Sequence, residues 1–158
     1  MSIGRFAADI GKMGEEAEEA ALRGLQSAAY RLEGMVVDSI KNTQPYAPED
    51  TGELTRSVKT TPTPKGAIVS ADAPHAAFME YGARPHFPPL QPLADWAYRK
   101  GLADSPEEAM EIALRIARKM NKQGIKPRHF MARAIKEFKR QKIIKQEIVA
   151  ELREIGVK

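Results

Sequence analysis

Asp50-Thr51-Gly52 is the tripeptide that carries the catalytic aspartate of aspartic proteases, where two such carboxylates on paired loops share one proton. In those enzymes an apolar strand leads into the aspartate, whereas here Tyr46-Ala47-Pro48-Glu49 does, so the segment reads as a turn in which Asp50 or Thr51 bonds its own backbone two residues on. The histidines are His75, His86 and His129, and His75 stands five residues from Glu80, a spacing that puts no ligand pair on one helical face. Loop or cap histidines are therefore expected, and no metal site. No Gly-rich loop ends in Gly-Lys-Ser/Thr and no Gly-x-Ser-x-Gly occurs, so nucleotide hydrolysis and nucleophile-elbow acyl transfer lack their parts. With no cysteine, disulfides, thiolate nucleophiles and sulfur-based zinc sites are excluded. The chain is expected to be non-enzymatic and free of cofactors.

Charge is the second chemical signal. Arg115, Arg118, Lys119, Lys122, Lys126, Arg128, Arg133, Lys136, Lys139, Arg140, Lys142 and Lys145 form a basic region on two successive predicted helices. It fits contact with DNA or an acidic partner, and it also fits an ordinary solvated helix surface. The interleaved aromatics are only Phe130 and Phe138, at core-like spacing, so any DNA contact should be by charge and without sequence preference. Up to Leu114 the chain holds 11 Lys and Arg against 17 Asp and Glu, a balance of −6; from Arg115 it holds 14 against 4, a balance of +10. An acidic front and a basic rear suggest two different neighbours.

At 158 residues, 42% hydrophobic and 29% charged, the chain has the size and composition of one soluble domain. No apolar run approaches the roughly 20 residues of a membrane span, and the first residues, Met1-Ser2-Ile3-Gly4-Arg5, carry no secretory signal, so a cytoplasmic location without membrane contact is expected. From Phe6 to about Asn42, Ile10, Met13, Ala17, Ala21, Leu25, Ala28, Leu32, Met35 and Ile40 recur at helical spacing opposite Glu15, Glu16, Glu18 and Glu19. Gly11 and Gly14 weaken the start of this helix, so residues 1–14 are read as an arm that orders in an assembly.

Pro45, Pro48, Asp50 and Gly52 break the helix. Ser57–Thr61 and Ala67–Ser70 read as strands joined by Pro62-Thr63-Pro64-Lys65-Gly66. Ala76–Tyr81 reads as a short helix or strand and Gly82–Pro92 as a proline-rich loop, with Ala83–Leu90 expected to make surface contacts and Trp96 to lie in the core. A helix resumes at Leu93, and Ser105-Pro106-Glu107-Glu108 starts another that should bury Ala109, Ile112, Ile116 and Met120 and stop at Gly124. A last helix is expected from Pro127, with Phe130 or Met131, Ala134 or Ile135, and Phe138 inward. The six-residue step from Phe138 to Ile144 turns the later stripe of Ile148, Leu152 and Ile155 away from the core, so 139–158 is read as a helical extension gripping a neighbouring subunit or acidic partner. The predicted fold is α+β: a small antiparallel sheet on a long N-terminal helix, with two or three further helices in the C-terminal half, and 1–138 as one domain.

Three elements stand in order: Pro48-Glu49-Asp50-Thr51-Gly52-Glu53-Leu54-Thr55-Arg56-Ser57, then Ala76-Ala77-Phe78-Met79-Glu80-Tyr81-Gly82, then Gly124-Ile125-Lys126-Pro127-Arg128-His129-Phe130-Met131. With this order, over roughly Met35 to Ile135, the chain resembles the tail-completion or head–tail connector proteins of long-tailed bacteriophages. The resemblance implies a virion component of the neck, arranged with other copies in a ring around the DNA channel beside neighbouring neck or tail proteins. It implies that Pro48, Asp50, Thr51, Gly52, Leu54 and Ser57 fix the junction from loop to sheet, that Glu80, Tyr81 and Gly82 close the sheet, and that Pro127, Phe130 and Met131 seat the last helix. A tail terminator capping the tail tube and a sequence-independent nucleic-acid-binding module are the alternatives.

Overall fold

The computed structural model describes residues 3–43 and 50–156, with side chains from Gly11 onward, so Pro45 and Pro48 of the predicted turn lie outside the described residues. Alanine-rich sequence with apolar residues at three- and four-residue spacing forms α1, Ile3–Lys41, about 58 Å long at 1.5 Å per residue. Its C-terminal carbonyls are satisfied in two ways. The Thr43 hydroxyl donates to Ser39 O at 2.7 Å, and the Arg133 guanidinium donates to Ser39 O at 3.1 Å and to the Thr43 hydroxyl. A cation at that end also suits the helix dipole.

A single turn of helix follows, α2, Glu53–Ser57, then β1, Val58–Thr63, and β2, Gly66–Ala71, paired antiparallel with Val58 opposite Ala71 and Thr63 opposite Gly66. The connection is the two-residue Pro64-Lys65, tighter than the sequence suggested, and Pro62 lies within the ladder. The ladder tolerates it because pairs alternate: Asp72 N donates to Ser57 O, which makes 57/72 and every second pair up to 63/66 hydrogen-bonded. Pro62, opposite Ala67, falls on the other pairs, where the missing N–H would point outward. A lone hairpin is marginal in water; here Val69 and Ala71 press on α1, and the Thr60 hydroxyl donates to Ala29 O at 3.3 Å.

The helices α3, Ala76–Tyr81, α4, Leu90–Arg99, α5, Pro106–Gln123, α6, Phe130–Arg140, and α7, Ile143–Glu154, complete the α+β fold. One core gathers Val36, Ile40, Leu54, Val58, Ala73, Ala76, Phe130 and Ala134 between α1, α2, the hairpin, α3 and α6. A second, of Ala94, Ala103, Ala109 and Ala113, lies between α4 and α5, and a third joins Ala28 to Phe138 and Ile143.

Several local expectations are corrected. α4 starts at Leu90, with Pro92 in its first turn where no intrahelical N–H is needed. α6 starts at Phe130, because Pro127 precedes His129 in the left-handed region at φ 51°. In α5 the buried residues are Ala109, Ala113 and Ala117, while Ile112, Ile116 and Met120 are half-buried flanks. The six-residue step after Phe138 is a break and not a rotation. Lys142 turns left-handed at φ 55°, and α7 folds back antiparallel along α1, where Arg23 meets Glu151 at 3.0 Å and Arg31 meets Glu147 at 2.6 Å. The approach is close enough that a Cβ on Gly24 would stand 2.6 Å from the Ile148 Cα.

Candidate functional site

Two of the three sequence elements meet in space. α3 ends at Tyr81, and its Glu80 is buried at 6% exposure without an ion-pair partner among the described residues. Both carboxylate oxygens accept backbone N–H groups at the start of α6: Oε2 from Met131 at 2.8 Å and Oε1 from Ala132 at 3.0 Å. A carboxylate at a helix N-terminus satisfies orphan donors and meets the positive end of the dipole. Main-chain bonds from Arg128 N to Met79 O at 2.8 Å and from His129 N to Glu80 O at 3.2 Å extend the joint.

Glycine is required on both sides of it. Ala83 and Ile125 exchange backbone bonds of 3.0 and 2.9 Å as an isolated antiparallel bridge. Gly82, at φ 77°, would place a Cβ 2.4 Å from Ile125 O, and Gly124, at φ 69°, one 2.1 Å from Ala83 O. The expected role of residues 80–82 is therefore corrected. Among the described residues the sheet holds only β1 and β2, and Glu80 and Gly82 lock the α3 end to α6, while Tyr81 is 76% exposed. Phe130, 1% exposed, is driven into the main core by this joint, with Met131 packed beside it.

The first element builds a second joint. Asp50 accepts from Arg99 Nη2 at 2.5 Å and lies 3.2 Å from Lys100 Nζ, tying the loop after α1 to the end of α4. The Arg99 hydrogen bond, with Lys100 behind it, holds the Asp50 carboxyl below the usual aspartate range. Thr51 O accepts from Arg56 Nη1 at 3.0 Å, Gly52 turns at φ 80° into α2, Leu54 is fully buried, and the Ser57 hydroxyl donates to Leu54 O at 2.7 Å. The Asp-Thr-Gly tripeptide is thus the entry to a helix turn, its carboxylate occupied by two cations. His75 and His129 are the residues before α3 and α6, and His86 lies on the loop near Arg84 O at 2.8 Å. Among the described residues no group of three His, Asp or Glu side chains is placed to hold a metal ion. Trp96 is half-buried and Phe87 is 53% exposed on its loop.

The basic residues divide among three settings. Arg115, Arg118, Lys119 and Lys122 fall within about 100° of one another on α5, opposite the buried alanines, all exposed and without ion-pair partners among the described residues. On α6, Lys136 and Lys139 are likewise exposed, but Arg133 caps α1 and Arg140 pairs with Glu137 at 2.5 Å, holding the Glu137 carboxyl at about 2. Lys142 and Lys145 line a groove beside α7. Because α5 packs on α4 and α6 packs on α1 and α3, the run of cations in sequence is not one continuous face.

Fold and site together define an α+β protein whose sequence elements are structural joints and whose charge is concentrated on helix faces. No helix among the described residues is long and apolar enough to cross a membrane. No protein-family model, curated protein or solved structure matches the chain.

Proposed function

We propose that the chain is a non-enzymatic virion protein of the head–tail junction of a long-tailed bacteriophage, joining or completing the tail as one subunit of a ring around the DNA channel. The observation that carries this reading is the joint between the second and third elements, where Glu80 caps α6 and Gly82 and Gly124 face the Ala83–Ile125 bridge. Motif residues engaged in fixing angles between helices suit a subunit whose task is geometric, presenting surfaces to other copies and to neighbouring neck or tail proteins. The protein would be made in the host cytoplasm and end in the virion. Electron microscopy of particles lacking this reading frame tests the proposal: filled heads beside separate tails of normal length are expected. Overlong tails would point instead to a tail terminator, and intact infectious particles would overturn a virion role.

The exposed basic stripe on α5 favours one second reading, sequence-independent contact with nucleic acid. Replacing Arg115, Arg118, Lys119 and Lys122 by serine should then flatten the salt dependence of DNA binding by about 3 to 4 in logarithmic slope. Absence of any salt-dependent binding by the isolated protein would remove that reading.

A further inference from the structure

The apolar line of α1 continues past its cover. At about 100° per residue, Met13, Ala17, Ala20 and Gly24 lie along one side of the helix. α7 closes over Gly24, and Ala20 is fully buried, yet Met13 is 65% exposed. Around the rest of this segment Glu15, Glu16, Glu18 and Glu19 are exposed, and among the described residues only Glu16 of these has an ion-pair partner, Lys12 at 3.9 Å. The result is an acidic helix whose apolar line ends in the exposed Met13, with Ala17 half-buried behind it.

At the opposite end of α7 is its counterpart. A groove of about 480 Å³ is lined by Phe138, Ile143, Ile144 and Ile148 together with Lys139, Lys142 and Lys145. None of these lysines has an ion-pair partner among the described residues. Apolar side chains interleaved with exposed lysines fit an amphipathic acidic helix laid against them. The chain's own arm cannot fill it. α7 starts where Ile143 packs on Ala28, 15 residues along an unbroken helix from Met13, or about 22 Å. Two arms paired with each other would set glutamates against glutamates.

We propose that the Met13–Glu19 arm of one copy docks in the α6–α7 groove of the next. The contact is head-to-tail, of the kind that closes a ring when its rotation allows. This inference rests on the reading of the chain as a ring subunit, and it names the surfaces that join the copies.

The chain contains no cysteine, so single cysteines report contacts cleanly. Full-length Met13→Cys and Ile144→Cys proteins, mixed and oxidised, should give a mixed disulfide dimer, whereas cross-linking only of Met13→Cys to itself would overturn the proposal in favour of paired arms. Sedimentation velocity supplies the second readout. Reversing the arm (Glu15→Lys, Glu18→Lys, Glu19→Lys) or the groove lysines (Lys139→Glu, Lys142→Glu, Lys145→Glu) should weaken self-association by about a hundredfold. Mixing the two variants should restore association, because each then offers what the other needs. Oligomers indifferent to both reversals, or a wild-type protein that stays monomeric without a mixed cross-link, would overturn the arm-in-groove contact. The head–tail reading stands or falls separately, on the particles made without the gene.

Discussion

Around α1 the interior sets large side chains among its alanines, with Phe130, Ile40, Leu54, Ile143 and Val36 fully buried, whereas the buried side chains of α4 and α5 are alanines throughout. Alanine lets two helices approach closely but removes little apolar area from water per residue. The main body is further locked by the Glu80 cap and the two glycine contacts, while the α4–α5 hairpin is held to it by the Asp50 ion pairs and the main-chain bridge at Ala83. The difference teaches a division of labour. The body fixes the geometry, and the hairpin carries an exposed basic stripe on a scaffold that should open first under stress.

The largest effect should come from the body. Phe130→Ala removes the largest fully buried side chain among the described residues and should cost about 3–5 kcal/mol, read as a lower urea midpoint for the whole protein. Glu80→Ala should come next, at about 2–3 kcal/mol, because the Met131 and Ala132 N–H groups would lose their acceptors at a buried helix end. Glu80→Gln, which keeps one acceptor oxygen, should recover part of that loss in the same titration. In the hairpin, Ala113→Leu overfills a fully buried position and should cost about 1–3 kcal/mol. Hydrogen exchange should then speed up in α4 and α5 while α1 and α6 keep their protection. Loss of protection across α1 as well would show that the two regions unfold as one.

The same contrast governs what was legible in the sequence. The long helix, the hairpin and the Ser105 cap announce themselves locally; the Ser105 hydroxyl accepts from Glu108 N at 3.1 Å as its spacing implied. Glu80 stands in the second sequence element, but its capping role carried no such signal, because the N–H groups it caps lie 51 and 52 residues away in sequence and nothing in an acidic residue's neighbours marks it as buried. Gly82 and Gly124 were visible as motif members, but their mutual packing through Ala83 and Ile125 required the fold. In α5 the helical period was clear, yet the preference for large apolar residues pointed to Ile112 and Ile116, when close packing on α4 selected the alanines between them. The six-residue step before Ile144 was a true signal of irregularity. Only the structure distinguishes a broken helix that folds back on α1 from a straight one that projects away.

The smallest effect should come from the tether between the two regions. Asp50→Asn removes the charge that Arg99 and Lys100 grip, and for a part-exposed pair the cost should be about 0.5–1 kcal/mol at neutral pH. The sign with pH follows from the direction of the shift. The folded carboxyl titrates below its unfolded value of about 3.9, so its contribution is fully present above that value and is lost as pH falls through the folded value. Below about pH 4 the wild type should lose stability more steeply than Asp50→Asn, and the two urea midpoints should converge. Glu137 and Asp72 are also held low by their partners, Arg140 and Lys59, but they are common to both proteins, so the difference between the curves isolates Asp50. A constant gap from pH 7 down to pH 2 would mean that the Asp50→Asn protein loses packing and not charge, and that the ion pairs do not fasten the hairpin to the body.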